Sequence, residues 1–326
     1  MDTSIFGNTP LHRCDYLSTK YQCHVSIKKE YFNPNQTVKD RAAWYMVKDA
    51  IVKKLLKPND ILVEASSGNT GIGIAYLAKQ LGYRACIFVT QNCSKEKLRS
   101  LENLGAKIVH CDNSNGIRDK NSTQYQAWSF TQMNHNSYYT DQYNNPENSR
   151  AHYETTGPEI WHQTSGKITH FFGGLGTTGT VSGIGKYLKE KDNGIKVLGI
   201  EPKGSILAPY KATGNVPASD TVMEKIEGIG RKFVPGIFNP MAVDQILQVE
   251  RSPTVQAALA YYQHTGILAG FSSAAVLAGL EDYCRNNTVD MRDHIVLLFA
   301  DYGDRYMHSL YHSLTTKNTV YDQKFS

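Results

Sequence analysis

The chain has 326 residues, 40% of them hydrophobic and 20% charged, and a formal net charge of +5. This length is generous for one compact core and suits two packed lobes. No apolar run approaches the roughly 20 residues of a membrane-spanning helix, and the scattered basic residues argue against nucleic-acid binding.

Strand-length apolar runs alternate with helical patterns from residue 61 onward. The runs that predict strands are Ile61–Val63, Ala85–Val89, Lys107–His110, Ile168–Phe172, Val197–Ile200 and Ile295–Phe299. The segments that predict helices are Ile72–Leu81, Ser94–Leu104, Thr180–Glu190 and Ser273–Cys284. The polar stretch 113–148 predicts one helix and then a crossover between lobes, with a boundary at Asn144–Pro146. The alternation predicts an α/β fold with mostly parallel sheets.

Cysteine usage and the N-terminal residues indicate a reducing compartment. The six cysteines form no Cys-x-x-Cys pair, so we expect neither a zinc site nor a redox dithiol, and we predict no metal. Residues 1–4 carry no basic region followed by an apolar run, so no signal peptide is predicted. These features favour a cytoplasmic protein.

Lys39 lies where a turn gives way to a helix. The helical spacing of Ala43, Val47 and Ala50 places the lysine in the first turn. A cation there faces the positive end of the helix dipole, which predicts a lowered pKa and a neutral amine able to attack an aldehyde. On spacing alone, an exposed structural lysine is the better interpretation.

The segment Glu64–Gly71 joins a predicted strand to a predicted helix through hydroxyl residues, Gly and Asn. Such a turn exposes backbone amides and short side-chain donors at a helix N-terminus, where anions bind well. A substrate carboxylate would fit there. An ordinary capped turn explains the same residues equally well.

The segment Gly173–Thr180 follows a strand and opens a helix, as a phosphate cradle does. Gly174–Gly179 also fits G-x-G-x-x-G, and Glu201 lies at roughly the spacing of a ribose-binding acid, so a dinucleotide-dependent oxidoreductase is an alternative. Three threonines supply hydroxyls in this segment, at Thr177, Thr178 and Thr180. Hydroxyls suit a terminal phosphate monoester better than a pyrophosphate that passes close to the backbone.

Two later segments, Gly266–Ala274 and Asp301–Tyr306, complete the pattern. Ser272 has two interpretations, as a helix cap or as a hydroxyl that meets a neutral pyridine nitrogen. Asp304 and Arg305 are explained by a surface ion pair.

Together these segments resemble the cysteine synthase and cystathionine β-synthase family, the fold-type II enzymes that use pyridoxal 5′-phosphate (PLP). The resemblance runs from Gly7–Leu11 to Gly303–Tyr306 and covers nearly the whole chain. Two stretches, Ala151–Trp161 and Pro235–Asn239, are especially similar to O-acetylserine sulfhydrylase, notably its B isoform.

The resemblance implies a fold like that of the tryptophan synthase β subunit, with two lobes that each contain a mostly parallel twisted sheet flanked by helices. The smaller, mobile lobe would span 37–145. The larger lobe, which binds the phosphate, would combine 1–36 and 146–326. The family also implies small amino-acid substrates and a homodimer.

Roles for individual residues follow from the same resemblance. Lys39 matches the lysine that holds PLP as a Schiff base and moves protons. The other cofactor-binding matches are Asn69 for the 3′-oxygen, Gly176, Thr177, Thr178, Gly179 and Thr180 for the phosphate, and Ser272 for the ring nitrogen. The substrate-binding matches are Ser66, Ser67, Asn69, Thr70, Gln142 and Gly228. A serine at 272 leaves the ring unprotonated, which suits β-elimination over transamination.

The implied reaction is β-replacement on O-acetylserine or O-phosphoserine with a sulfur nucleophile, which forms L-cysteine. Two segments, Glu201–Leu207 and Lys225–Gly230, look more like cystathionine β-synthase, or like siderophore enzymes that make a diaminopropionate precursor with an amine nucleophile. The oxidoreductase stays a remote alternative. Arg231 or Lys232 can meet a phosphate leaving group, although a solvated basic pair is at least as good an interpretation.

Overall fold

The computed structural model describes residues 5–217 and 222–314. Its helices, in chain order, are α1 Asp15–Tyr21, α2 Lys39–Val52, α3 Asn69–Leu81, α4 Lys95–Asn103, α5 Thr123–Met133, α6 Glu147–Ala151, α7 Gly157–Gln163, α8 Gly179–Lys191, α9 Leu207–Thr213, α10 Arg251–Thr265 and α11 Phe271–Asn286. A single π-helical turn, His152–Thr156, joins α6 to α7. No helix in these two ranges is long and apolar enough to cross a membrane.

Strands from the first half of the chain form a four-stranded parallel sheet. Its strands are β3 Ile61–Ala65, β4 Arg84–Thr90, β5 Lys107–Cys111 and β6 Ser137–Tyr139, in the order β5-β4-β3-β6. Strand β6 was not predicted, because its three residues carry no apolar run. It pairs with β3, Ser137 opposite Ile61, at one edge of the sheet.

A six-stranded sheet contains the remaining strands. They are β1 Leu11–Arg13, β2 His24–Lys29, β7 His170–Gly174, β8 Lys196–Pro202, β9 Gln245–Val249 and β10 His294–Phe299, in the order β1-β2-β10-β7-β8-β9. Only β1 runs antiparallel to its neighbour; the other pairs are parallel. The predicted α/β fold with mostly parallel sheets is therefore confirmed, and each predicted strand and helix is present with ends shifted by a few residues. The lobe boundaries stay a prediction.

Helices cover both faces of the six-stranded sheet. Phe171 and Phe172 are adjacent in β7 and fully buried, but they belong to separate hydrophobic clusters. Phe171 packs in the cluster of Val181 on α8, and Phe172 packs in the cluster of Phe271 on α11. Because side chains alternate along a strand, this division is expected of a sheet buried on both sides.

The carboxyl ends of three parallel strands carry the candidate site. Strand β3 ends at Ala65 before the loop 66–68, β7 ends at Gly174 before the glycine-rich loop, and β10 ends at Phe299 before Asp301. Ligands of α/β proteins bind in crevices beyond such strand ends.

Candidate active site

Lys39 is the first residue of α2 and is fixed against the end of β10. The amide of Val38 donates to the carbonyl of Ala300 at 2.8 Å, and Thr37 forms an antiparallel bridge with Asp301. The lysine therefore sits in the first helical turn, as predicted, and lies beside the end of a central strand of the larger sheet.

The environment of Lys39 lowers the pKa of its amine to about 8. Burial is the main cause, the Arg231 guanidinium contributes in the same direction, and the Asp301 carboxylate opposes both. The lowered pKa was expected from the place of Lys39 in the first turn of its helix, and burial and Arg231 are causes that the sequence did not indicate. Desolvation and a neighbouring cation make the neutral amine accessible at mildly alkaline pH.

Arg41, two residues further along α2, anchors this helix to the rest of the protein. Its buried guanidinium pairs with Glu30 at 2.7 Å and with Glu159 at 2.6 Å. Glu159 also accepts from the fully buried Lys28 at 2.6 Å. These pairs tie α2 to β2 and α7, so the position of Lys39 is set by a charge network that its own motif does not reveal.

The glycine-rich loop after β7 forms a cup at the N-terminus of α8. Thr178 is the N-cap residue, with a φ of 73°, and its hydroxyl is buried without a hydrogen-bond partner in the described part of the chain. The Asn148 amide donates to the Thr177 hydroxyl at 3.1 Å, and His152 Nε2 lies 3.1 Å from the Thr180 hydroxyl. The three predicted hydroxyls thus gather at a helix N-terminus.

The cup has the shape and the donors that a phosphate monoester requires. A Cβ at Gly176 would lie 2.5 Å from the carbonyl oxygen of Gly228, so only glycine fits between the two loops. The orphan hydroxyl of Thr178 and the first amides of α8 point to an anion. The residues present therefore fit the phosphate of PLP.

Ser272 lies beside this cup but does not cap its helix. The N-cap of α11 is Gly270, so Ser272 is the second helical residue and the capping interpretation is wrong. A Cβ at Gly174 or at Gly228 would lie 3.7 Å from the Ser272 Cβ. The structure thus brings Ser272 together with the two loops that carry Gly174 and Gly228.

The loop after β3 combines a local turn contact with a bond to the end of β4. Ser66 Oγ accepts from the Gly68 amide at 3.2 Å, and Ser67 Oγ accepts from the Thr90 amide at 2.7 Å. The N-cap of α3 is Gly68, without a side-chain cap, so the capped-turn alternative does not explain these hydroxyls.

Gln142 reaches this loop from the segment between β6 and α6. Its Oε1 accepts from the Thr70 hydroxyl at 2.7 Å, and its Nε2 donates to Glu64 and to the Ala65 carbonyl at 3.2 Å each. The predicted substrate-binding residue is therefore at the loop, with its amide engaged by the protein. Glu64 is fully buried, and burial raises the pKa of its carboxyl group to about 7.

Asp301 and Arg305 are functional candidates that the sequence did not identify. Asn69 Nδ2 donates to Asp301 at 2.8 Å, and Arg305 Nη1 donates to Asn69 Oδ1 at 2.8 Å. Arg305 thus bonds Asn69, and the surface ion pair expected with Asp304 is wrong. No local signal marks these partners, because they lie more than 200 residues from Asn69 in the sequence.

The dinucleotide alternative fails at Glu201. Its carboxylate is fully buried and accepts from the amides of Leu207 and Ala208 at 3.2 and 2.9 Å and from Gln248 Nε2 at 2.9 Å. An acid that caps α9 in this way is not free to bind a ribose. Within residues 5–217 and 222–314, no group of three or more His, Cys, Asp or Glu side chains could hold a metal.

A cleft of about 890 Å³, here called the Tyr143 cleft, is lined in part by Tyr143 and Lys232, which follow Gln142 and Arg231 in the chain. Its lining residues are Asn115, Gly116, Ile117, Arg118, Gln124, Tyr125, Trp128, Tyr139, Asp141, Tyr143, Asn144, Val216, Lys232, Phe233 and Val234. Tyr143 connects the cleft to the site. Its ring packs against the Arg231 guanidinium and also against the Phe233 ring, whose centre lies 5.0 Å away.

Comparisons with known proteins identify the family of the chain. The profile of the family described as pyridoxal-phosphate dependent enzyme matches residues 3–301. Cystathionine β-synthase of Apis mellifera is 36% identical over 89% of this chain, which spans only 57% of the length of that protein. Cysteine synthase B of Salmonella typhimurium is 34% identical over 92% of both chains.

Two further similarities extend the range of relatives. The O-acetylserine dependent cystathionine β-synthase of Bacillus subtilis is 33% identical over 94% of this chain and 95% of that protein. The crystal structure of O-ureido-L-serine synthase superimposes with a TM-score of 0.84 and 29% identity, over 95% of this chain and 94% of that one.

Proposed function

The chain belongs to the pyridoxal-phosphate-dependent enzyme family, and from this premise we propose that it replaces the β-substituent of an activated serine by a sulfur nucleophile to form L-cysteine. The donor is O-acetylserine or O-phosphoserine. The observation that carries the proposal is the amine of Lys39, whose pKa is lowered to about 8 by burial and by Arg231. Arg231 also lies against Gly176 of the glycine- and threonine-lined cup at the N-terminus of α8.

The cofactor would be held at both ends by residues already described. Lys39 would bind it covalently, Asn69 would bond its 3′-oxygen, and Ser272 would bond its ring nitrogen. The phosphate would be bound by Gly176, Thr177, Thr178, Gly179 and Thr180. When bound, PLP supplies an electron sink for the negative charge that develops at the substrate α-carbon.

The side chains of the site bind the substrate and transfer the proton. The loop hydroxyls and amides bind the α-carboxylate of the donor, and they are Ser66, Ser67, Asn69 and Thr70, with Gly228. Gln142 assists by holding this loop through its bonds to Thr70 and the Ala65 carbonyl. Once the amino group of the donor has taken its place on the cofactor, the neutral amine of Lys39 would take the proton from the α-carbon while the Cβ–O bond breaks and acetate or phosphate leaves. The sulfur nucleophile then forms the Cβ–S bond, and Lys39 returns the proton.

The test is a spectral and kinetic comparison of Lys39→Ala with Lys48→Ala, an exposed lysine on the same helix. Lys39→Ala is expected to lose the visible absorbance of covalently bound cofactor and at least about 1,000-fold in turnover, since the proton-transfer group and the attachment point vanish together. Lys48→Ala is expected to match the wild type. Equal absorbance and turnover in Lys39→Ala would contradict the proposal.

An amino-acid nucleophile is a second candidate, which would make the product cystathionine or a diaminopropionate precursor. The Tyr143 cleft supports it, because about 890 Å³ far exceeds what sulfide requires. Its walls carry Arg118, Lys232 and Asp141, which suit a carboxylate and an ammonium. Asp141→Asn is then expected to raise the KM for homocysteine or for an amine nucleophile and leave the KM for sulfide unchanged. Equal effects on all nucleophiles would favour cysteine as the product.

We also propose a cytoplasmic homodimer in which lobe 37–145 closes on the lobe formed by 1–36 and 146–326. Six free thiols, each within the described ranges, suit a reducing compartment. Light scattering after size exclusion tests the dimer, and a monomeric mass at micromolar concentration would contradict it.

A further inference from the structure

The side-chain amide of Asn69 is held at both ends. Its Nδ2 donates to Asp301 Oδ2 at 2.8 Å, and its Oδ1 accepts from Arg305 Nη1 at 2.8 Å. An ionised carboxylate can only accept and a guanidinium can only donate, so the two partners fix which end of the amide is nitrogen and which is oxygen. Asn69 therefore cannot flip without losing two charge-assisted bonds.

Both partners are themselves anchored to one side of the site. Asp301 is 2% exposed, follows β10 and accepts a second bond from the Tyr306 hydroxyl at 2.6 Å. Arg305 Nη2 donates to the Asn35 carbonyl at 2.6 Å. Asn69 is the first residue of α3 and follows β3 of the four-stranded sheet, whereas Asp301 follows β10 of the six-stranded sheet. The clamp formed by Asp301, Asn69 and Arg305 therefore joins the ends of the two sheets.

The amide has capacity left over. Asn69 Nδ2 carries two hydrogens and the clamp uses one, which leaves one N–H free for a ligand. Resting on the proposed function, we propose that Asp301 and Arg305 are positioning residues, which hold the Asn69 amide so that its free N–H meets the phenolic oxygen of PLP. A flipped amide would present its oxygen to that anionic atom and repel it.

Asp301→Asn removes the feature that fixes the amide, because a carboxamide both donates and accepts. We expect Asp301→Asn and Arg305→Gln to weaken the affinity of the apo-protein for PLP about tenfold, the cost of one charge-assisted hydrogen bond. The visible absorbance maximum of the bound cofactor is expected to move in both variants. The measurements are an equilibrium titration of apo-protein with PLP and the spectrum of the loaded protein, and neither depends on turnover.

The matched controls are Asp290→Asn and Arg292→Gln, which change the same residue types in an exposed ion pair before β10. They are expected to leave both readouts at wild-type values. Asp301→Asn is also measured in an Asn69→Ala background, where it is expected to have no further effect on PLP affinity if it acts through Asn69.

Three results would overturn the inference. Wild-type affinity and spectrum in both Asp301→Asn and Arg305→Gln would do so, and so would effects that add fully to those of Asn69→Ala. If Asp301→Asn does not fold, Arg305→Gln alone decides between these outcomes, since its partners are partly exposed. A wild-type protein that takes up no PLP would overturn the proposed function as well, which distinguishes the two failures.

Discussion

The guanidinium of Arg231 lies 5.3 Å from the centre of the Tyr143 ring. Its Nε is buried without a hydrogen-bond partner among the described residues, and a Cβ at Gly176 would lie 3.6 Å from its Nη2. The positive charge of Arg231 thus lies between the phosphate cup and the Tyr143 cleft, close enough to act on the amine of Lys39. The two basic residues at 231 and 232 have different environments, because Arg231 is partly buried whereas Lys232 is exposed and lines the cleft.

This placement predicts that Arg231 contacts a phosphate leaving group. Arg231→Ala is expected to lower kcat/KM for O-phosphoserine about 10- to 100-fold, the range of a charge-assisted hydrogen bond. O-acetylserine, whose leaving group carries no charge before the bond breaks, is expected to lose much less. The measurement compares both donors with sulfide as the nucleophile, and Lys232→Ala is the control. Equal losses for the two donors would contradict the prediction.

The effect of Arg231 on the pKa of Lys39 also predicts that cofactor uptake depends on pH. Only the neutral amine of Lys39 attacks an aldehyde, so the rate at which apo-protein takes up PLP is expected to rise with pH through a midpoint near its pKa of about 8. Arg231→Gln removes a cation that lowers this pKa, so the midpoint is expected to move to higher pH. Stopped-flow absorbance across a pH series measures the shift. An unchanged or lower midpoint would show that Arg231 does not act on Lys39.

The sequence predicts the parts of this site that lie within single segments. Lys39, the threonine cup and Ser272 each belong to a short run whose residue types and neighbours indicate its place in the fold. The partners that orient them come from elsewhere in the chain: Asn148 bonds Thr177, and Asp301 bonds Asn69, through contacts that only the packing of two sheets creates. Periodicity reports which residues face a core but not which segments meet.

The same limit applies to single residues. The pKa of Lys39 was expected to fall because of its own helix, and the sequence did not indicate that burial and Arg231, nearly 200 positions away, also lower it. Glu201 has the spacing of a ribose-binding acid but caps α9. A spacing pattern therefore identifies candidates, and burial and partners decide between them.

The Arg41 network predicts a strong effect on stability. Arg41→Met would leave Glu30 and Glu159 without their main partner in a buried site. Burial alone would raise the pKa of Glu30, but Arg41 outweighs it and holds that pKa at about 2. We expect the free energy of unfolding to fall by about 3 to 5 kcal/mol, as for other broken buried pairs.

Urea denaturation measures this change, and Arg150→Met is its control. Arg150 is half-exposed and pairs with Glu147 and Glu154, so its loss is expected to cost at most about 1 kcal/mol. Similar losses in the two variants would show that Arg41 stabilises the fold no more than a surface pair does.

Glu64 predicts a fall in stability between mildly acidic and neutral pH. Burial raises the pKa of its carboxyl group from 4.5 to about 7, although bonds from Thr140, Gln142 and the Ala65 amide oppose the rise. Between these two values the unfolded chain has lost the proton that the folded protein still holds. The unfolded state therefore binds fewer protons, and the free energy of unfolding decreases as the pH rises through this window.

Glu64→Gln keeps a neutral side chain at every pH and is expected to flatten this dependence. Urea denaturation in steps from pH 4.5 to 7 measures the slope. Glu102→Gln, an exposed substitution of the same type on α4, is expected to follow the wild type. Because Gln142 joins Glu64 to Thr70, the wild type is also expected to show a change in α-carboxylate affinity over the same window, which Glu64→Gln abolishes. Parallel curves for Glu64→Gln and wild type would mean that Glu64 ionises in the folded protein as it does in the unfolded chain.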